Sequence, residues 1–294
     1  MKQNKLQKVI PYILIAPAIT MIVVFMLYPM VKNVFLSFFD YNLSSLERPF
    51  VGLKNYIEMF HEKRLWNAVG RTGIWTAVNL FFAIFIGVGS AFLMFSDFKG
   101  SALLKSFILI PWILPSVVTG YIWSLMLNED AGIITWSLKA LGIVSSNFSF
   151  FSTGPLSMAG AIMANIWRAF PFFTLMIYAK LCTIPNDQMD AAHLEGAQGL
   201  VLFRYVLFPF IQDILLACIF LCFIWTFNAY DIMKVMTNGG PAELTTTMSL
   251  LIQREAFFYF SLSNAATMSV YMFCIMLCVI GFANVLKKIF GDKK

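Results

Sequence analysis

The residues able to do chemistry crowd into one short stretch. "DQMDAAHLEG" (187–196) holds Asp187, Asp190, His193 and Glu195. Asp187, Asp190 and His193 follow one another at three-residue steps, which puts them along one side of a helix. By type they are acid–base or metal-ligand material, but nothing completes either chemistry. The other histidine, His61, is remote in sequence. The five cysteines (Cys182, Cys218, Cys222, Cys274, Cys278) form no Cys-x-x-Cys pair. Cys218/Cys222 and Cys274/Cys278 share helix faces with no histidine beside them, so they read as small buried residues rather than zinc ligands. There is no Gly-Lys dipeptide, hence no phosphate-binding G-x-x-x-x-G-K-[ST] loop. The glycine pair in "TNGGPAELTTT" (237–247) lacks the following helix start that a phosphate cradle needs. Paired catalytic carboxylates and a Ser–His–acid set are also missing. No enzyme site is legible.

The elements that must hold these residues are lipid-soluble. Of 294 residues 60% are hydrophobic, 12% are charged and 31 are Phe, with a mean hydropathy of +0.77. A water-soluble chain carries about twice that charged fraction. Six segments of about 20 predominantly apolar residues can each cross a ~30 Å hydrocarbon layer: Val9–Val31, Gly73–Phe95, Ser106–Leu127, Leu156–Ala179, Phe208–Ala229 and Asn264–Leu286. The fold class expected is an all-α integral membrane protein of six transmembrane helices. Pro11, Pro17 and Pro29, Pro111 and Pro115, and Pro171 predict kinked spans, since neighbouring helices satisfy freed carbonyls. The first apolar stretch is too long and too proline-interrupted for a signal peptide and reads as an uncleaved span. Six crossings put both termini on one side, and Lys2, Lys5, Lys8, Lys287, Lys288, Lys293 and Lys294 put that side in the cytoplasm. Lys32, Arg48, Lys54, Lys63, Arg64 and Arg71 in the outer segment 32–72 leave that orientation resting on the tails. Residues 51–66 read as a short amphipathic helix on the outer surface. The net charge of +6 suits a membrane lipid surface better than nucleic acid.

On this topology the polar stretch is a cytoplasmic elbow between spans four and five. Pro185 begins a turn, Asn186 or Asp187 can cap a helix, and Gly196 can end it in a left-handed conformation. A second helix is expected from Ala197 to about Leu207, with Leu200, Phe203 and Leu207 on one face. Two readings stand at this point: a rigid peg on which a cytoplasmic partner pushes, or an amphipathic loop resting on headgroups.

"DAAHLEGAQ" followed by "FRYVLFP" resembles the EAA motif of permease subunits in binding-protein-dependent ABC importers. Asp190 stands where that family usually has Glu, with Ala191, Ala192, Gly196, Ala197 and Pro209 in register. "GLKNY" (52–56), "LLKSFILIPWILPSVVTGYIW" (103–123), "NEDAGIITWSLKALGI" (128–143), "WRAFPFFTLMIYAKLCTIPND" (167–187) and "FNAYDIMKVMTNGGP" (227–241) are similar to other stretches of the carbohydrate subgroup. The likeness runs from about residue 12 to 285. It implies a type I ABC importer permease fold. The division expected is tail 1–8, first span with its outer segment 9–72, permease core 73–286 containing the coupling loop 181–207, and basic tail 287–294. It also implies that Asp190, Ala191, Ala192, Gly196 and Ala197 form an ATPase-coupling helix.

Charged residues inside the spans are few. Arg168 lies in span four and Asp213 near the end of span five, so the acidic relay of a proton- or sodium-coupled carrier is not evident. Arg168 reads either as snorkelling to the interface or as facing a cavity. The resemblance adds candidate solute contacts: Asn165, Arg168 and Phe172 on span four, and Trp225, Thr226 and Asn228 on span five. Their amides suit hydroxyls and their rings suit the apolar face of a pyranose. The function expected is half of the transmembrane pathway for carbohydrate uptake by alternating access. The chain itself is expected to bind no cofactor and no metal, with ATP and Mg on the partner ATPase. Partners implied are a second homologous permease, two ATPase subunits and an extracytoplasmic solute-binding protein. Alternatives are the same architecture importing a sugar phosphate, glycerol phosphate, anionic sugar or other polar solute, or else a secondary carrier.

Overall fold

The computed structural model describes residues 5–42, 47–96 and 100–291; Lys2, Lys293 and Lys294 fall outside them. The chain is built from helices throughout, with two isolated antiparallel bridges, Phe39–Phe50 and Asn42–Ser261. It divides into two compact units, Met1–Leu65 with Leu251–Val279, and Trp66–Leu250 with Ile280–Lys294.

The first unit opens with α1 (Lys5–Ile22), a π-helical turn (Val23–Leu27) and α2 (Tyr28–Leu36). Pro11 and Pro17 lie inside α1 without ending it. The π turn immediately precedes Tyr28-Pro29. Proline has no N–H to donate and its ring crowds the carbonyl of residue i−4, and a widened turn accommodates both. A short amphipathic helix follows as expected, but it is α3 (Lys54–His61) only, since Lys63 already starts the next helix. Asn55 is buried and donates through Nδ2 to the carbonyls of Ser37 (2.9 Å) and Phe39 (2.8 Å), covering the end of α2. Tyr271 on the last span donates to the Tyr56 carbonyl at 2.8 Å.

Arg64 Nη1 pairs with Glu255 Oε1 at 3.1 Å, and Glu255 is only 6% exposed. Lys54–Glu58 in the same unit is 3.7 Å long with both side chains near two-thirds exposed. Removing one partner of a buried pair strands the other charge, whereas exposed pairs contribute little. Arg64→Met is therefore expected to lower stability by about 2–3 kcal/mol, and Lys54→Met by no more than about 0.5 kcal/mol, read by thermal unfolding in detergent. Equal effects would contradict this ranking.

The second unit packs α4 (Lys63–Phe95) against α9 (Gly154–Leu181) and α12 (Phe208–Phe227). Phe173, Ile177, Leu181 and Ile211 are fully buried between them. Gly87 on α4 is the point of closest approach. A Cβ there would lie 2.5 Å from Phe173 Cβ and 2.9 Å from the Phe170 carbonyl oxygen. Pro171 lies inside α9, which runs 28 residues without interruption. Trp75 Nε1 donates to the Thr226 carbonyl (3.0 Å), Asn79 Nδ2 to the Trp75 carbonyl (2.7 Å) and Asn165 Nδ2 to Asn79 Oδ1 (2.9 Å). This polar ladder joins the three helices where lipid offers no hydrogen bonds.

The expected third span is instead broken. After α5 (Ser101–Phe107) comes α6 (Ile110–Ile113), then extended Leu114 and Pro115, then α7 (Ser116–Met126). The two halves are bent by 102°. Pro115 forces Leu114 out of the helical region, and the chain restarts in a new direction. Beyond α7 lies the short α8 (Ile133–Ala140). Among the described residues five helices are long and apolar enough to cross a membrane: Pro11–Leu36, Lys63–Phe95, Gly154–Leu181, Gly199–Met236 and Leu262–Val285. The bent pair makes six if it counts as one span.

Candidate functional site

The elbow begins with α10 (Asn186–Leu194), entered from Pro185 at φ −61° and ψ 136° with no side-chain cap. The expected capping by Asn186 or Asp187 is corrected: Pro185 presets the entry and both residues are already helical. The far end follows the glycine logic. Gly196 has φ +78°, the Ala197 N–H reaches the Ala192 carbonyl (2.9 Å), and the Gly196 N–H reaches that of His193 (3.0 Å). This pair of bonds closes a helix end with a left-handed residue. Ala192 is buried and Met189 packs on the core, while Asp187, Asp190, Ala191 and His193 face outward. Leu194 is 90% exposed on this polar surface.

The second helix differs from the expected Ala197–Leu207. It is α11 (Gly199–Leu202), entered through Gln198, followed by a π turn at Phe203–Leu207 before Phe208-Pro209. Leu200 is 79% exposed while Leu207 is buried, so the expected single apolar face is not formed. The π turn shifts the phase between them, for the same reason as at Pro29. Ala191, Ala192 and Glu195 line a cleft of about 430 Å³ with Tyr205 and Pro209.

From this foot α12 runs 20 residues, about 30 Å. Near its far end lies a small cavity of about 50 Å³ that gathers five of the six expected solute residues: Asn165, Arg168, Phe172, Trp225 and Thr226. Asn228 does not line it; it closes the end of α12, exposed, with Nδ2 on the Ile224 carbonyl at 2.8 Å. Asn165 spends its Nδ2 on Asn79, and Thr226 lends its carbonyl to Trp75, so both also hold the helices together. Three rings form an aromatic wall. Phe172 lies 5.2 Å from Trp225 and 6.1 Å from Trp112 between ring centroids. Arg168 and Cys222 line the same cavity, and the Arg168 Nε is buried without a hydrogen bond.

Trp112 and Cys222 escaped the sequence reading because only the fold brings spans three and five to this point. The same holds for α13 (Asp231–Met236), which packs on α7 and α9; there Asp231 accepts a hydrogen bond from Ser116 Oγ. The turn after it packs on the start of α9, with Leu244 against Gly154. Then come α14 (Met248–Phe257) and α15 (Leu262–Gly291). Among the described residues no group of three His, Cys, Asp or Glu is placed to hold a metal.

The chain is 29% identical over 278 residues to the trehalose/maltose transport system permease protein MalF of Thermococcus litoralis, covering 95% of this chain and 92% of that one. Among solved structures it resembles a bacterial ABC transporter involved in import of the acidic polysaccharide alginate (TM-score 0.82, 16% identity, 97% and 99% of the two chains). It also resembles the alginate transporter in complex with alginate pentasaccharide-bound periplasmic protein (TM-score 0.81, 15% identity, 96% and 94%). At those identities the likeness speaks for the fold, the all-α architecture of a type I importer permease. Residues 83–293, well over half of the sequence, match one family in particular. The chain belongs to the binding-protein-dependent transport system inner membrane components.

Proposed function

We infer that this chain is one transmembrane half of an ABC importer for carbohydrate, a transport subunit driven by ATP hydrolysis on partner subunits. The observation that carries this is mechanical: a short helix seated on the core by Ala192 and closed by hydrogen bonds at Gly196 is joined, through a four-residue joint and the path α11–π turn–α12, to Trp225 and Thr226 at the cavity. Movement at one end reaches the other through a joint of four residues, whose helix side is closed by two hydrogen bonds, and then through helix. Leu194, Asp190 and Ala191 supply an apolar tip and charged flank on which an ATPase subunit docks.

The cavity of about 50 Å³ holds one or two waters, while ligand sites measure roughly 300–1,000 Å³. A saccharide needs a wider state and a second wall. Trp225, which lines the cavity, is itself 51% exposed. Moreover, the first span has 0% of its apolar window buried within the chain, against 22–56% for the other four. Both features support a second, homologous permease. A solute-binding protein delivers the cargo, as the periplasmic protein in the related alginate complex suggests. In this reading residues 73–286 are the permease core, 181–207 the coupling loop, and both basic tails are cytoplasmic in a bacterial cell membrane.

The test is reconstitution with candidate ATPases, the second permease and the binding protein. ATP hydrolysis is expected to rise on adding loaded binding protein, with saccharide uptake in step. Uptake by this chain without any ATPase would overturn the reading.

A further inference from the structure

We propose that a polar cavity in the first unit is the docking pocket for a basic loop of the solute-binding protein. This rests on the importer reading, and in particular on the tails being cytoplasmic. The first span, Pro11–Leu36, then crosses once and leaves its far end outside. There the residues after α2, helix α3, the start of α4 and the link from α14 to α15 enclose about 640 Å³. That is the size of a ligand site, and the coupling path makes no use of it.

An open acceptor lies in its lining. Asn55 is only 7% exposed, and its Nδ2 is committed to the carbonyls of Ser37 and Phe39. Those bonds fix which way the amide lies and leave its Oδ1 for the cavity, where no group among the described residues donates to it. Asn264, half-buried in the same lining, makes no side-chain hydrogen bond among the described residues either. Charge is the second feature. Asp40, Glu58, Glu62 and Glu255 line the cavity against Lys54 and Arg64, so it is acidic within a chain of net charge +6. Arg64 answers Glu255 and Lys54 answers Glu58. Asp40 and Glu62, both exposed, pair with no cation among the described residues.

A guest that donates hydrogen bonds and carries positive charge satisfies both features. The described residues offer no group of three ligands for a metal ion, and a bare ion would leave the volume unfilled. A neutral saccharide gains nothing from the excess charge, and an acidic one is repelled. A lysine or arginine on a protein loop has the donors, the charge and the bulk. The protein that reaches this end of an importer is the one that delivers solute. Exposed carboxylates also draw a basic face in from a distance, an effect that salt weakens.

The experiment titrates solute-loaded binding protein against ATP hydrolysis by the assembled transporter in liposomes, at about 50 and about 300 mM NaCl. The permeases are parent, Asp40→Glu, the double Asp40→Asn/Glu62→Gln and the double Asp40→Lys/Glu62→Lys. The half-saturating concentration is expected to rise about fivefold in the neutralised double and about twentyfold in the reversed one, with the maximal rate within about twofold of parent. Asp40→Glu should stay near parent. Salt should raise the parent's half-saturation and lower that of the reversed double, an inversion that a purely structural role would not produce. If the reversed double fails to co-purify with the ATPase, Asp40→Lys alone takes its place, with the same inversion expected. Benzoylphenylalanine in place of Glu58 should photo-crosslink to the binding protein; a product with the second permease, or none, overturns the proposal. Unchanged half-saturation in the variants overturns it too. So does labelled maltose that binds the transporter without the binding protein and is lost in the neutralised double, which would assign the pocket to the solute. A parent that no binding protein stimulates overturns the importer reading, and this inference with it.

Discussion

Replacing Gly196 with valine is expected to leave the protein in the membrane and to reduce solute-stimulated ATP hydrolysis at least tenfold. Space is not the obstacle, because a Cβ at Gly196 would meet nothing within 4 Å. The obstacle is φ +78°, which costs a non-glycine residue about 1–2 kcal/mol and a β-branched one more. To relieve that strain the chain must give up the Ala197–Ala192 and Gly196–His193 bonds that close α10. The elbow then loses its fixed angle to α12, and force applied at Leu194 bends a joint instead of moving a span. Gly196→Asn is expected to fall between parent and Gly196→Val, since asparagine tolerates the left-handed region. Full stimulated hydrolysis in Gly196→Val would show that the angle does not matter for coupling.

The second large effect is expected at Gly87. Gly87→Ala inserts a methyl 2.5 Å from Phe173 Cβ and 2.9 Å from the Phe170 carbonyl oxygen. The obstructing atoms belong to the backbone and the root of a side chain, so no rotamer change clears them and α4 must move off α9. Overpacking of this kind costs about 1–3 kcal/mol, and Gly87→Leu should prevent stable assembly. Gly89→Ala is the internal control: two residues along the same helix, a Cβ there meets nothing within 4 Å, and its effect should stay within about 0.5 kcal/mol. Thermal unfolding of the purified protein separates the two. Equal midpoints would mean that the close approach of α4 and α9 does not exist.

These glycines also show where sequence reading stops. Gly196 was legible as a helix end because the cause is local: a polar nine-residue run, a glycine, then a new apolar segment. Nothing in "IGVGS" (86–90) distinguishes Gly87 from Gly89, since only the neighbouring helix does. The apolar spans were legible because hydropathy and length are local too, and α9 and the last span begin within two residues of where the pattern puts them. Proline was ambiguous for a physical reason. Pro17 and Pro171 sit inside continuous helices while Pro115 breaks one, and no residue type or spacing around the three marks the difference. Likewise, Asn165 reads from sequence as a hydrogen-bonding side chain in a span. That its Nδ2 is engaged by Asn79, 86 positions away, is a tertiary fact. Asp231 stood in view within "FNAYDIMKV", but its hydrogen bond from Ser116, 115 positions away, depends on α13 packing beside α7.

The π turn at Phe203–Leu207 carries a further consequence. One extra residue in a helical path advances its angular phase by about 100°. The compass bearing of the elbow is thus set independently of the bearing at which Trp225 and Thr226 meet the cavity. Trimming a single residue from that turn would swing the upper helix like a misaligned key, without altering any side chain that touches the solute. The length of this joint is as much a specification as its composition.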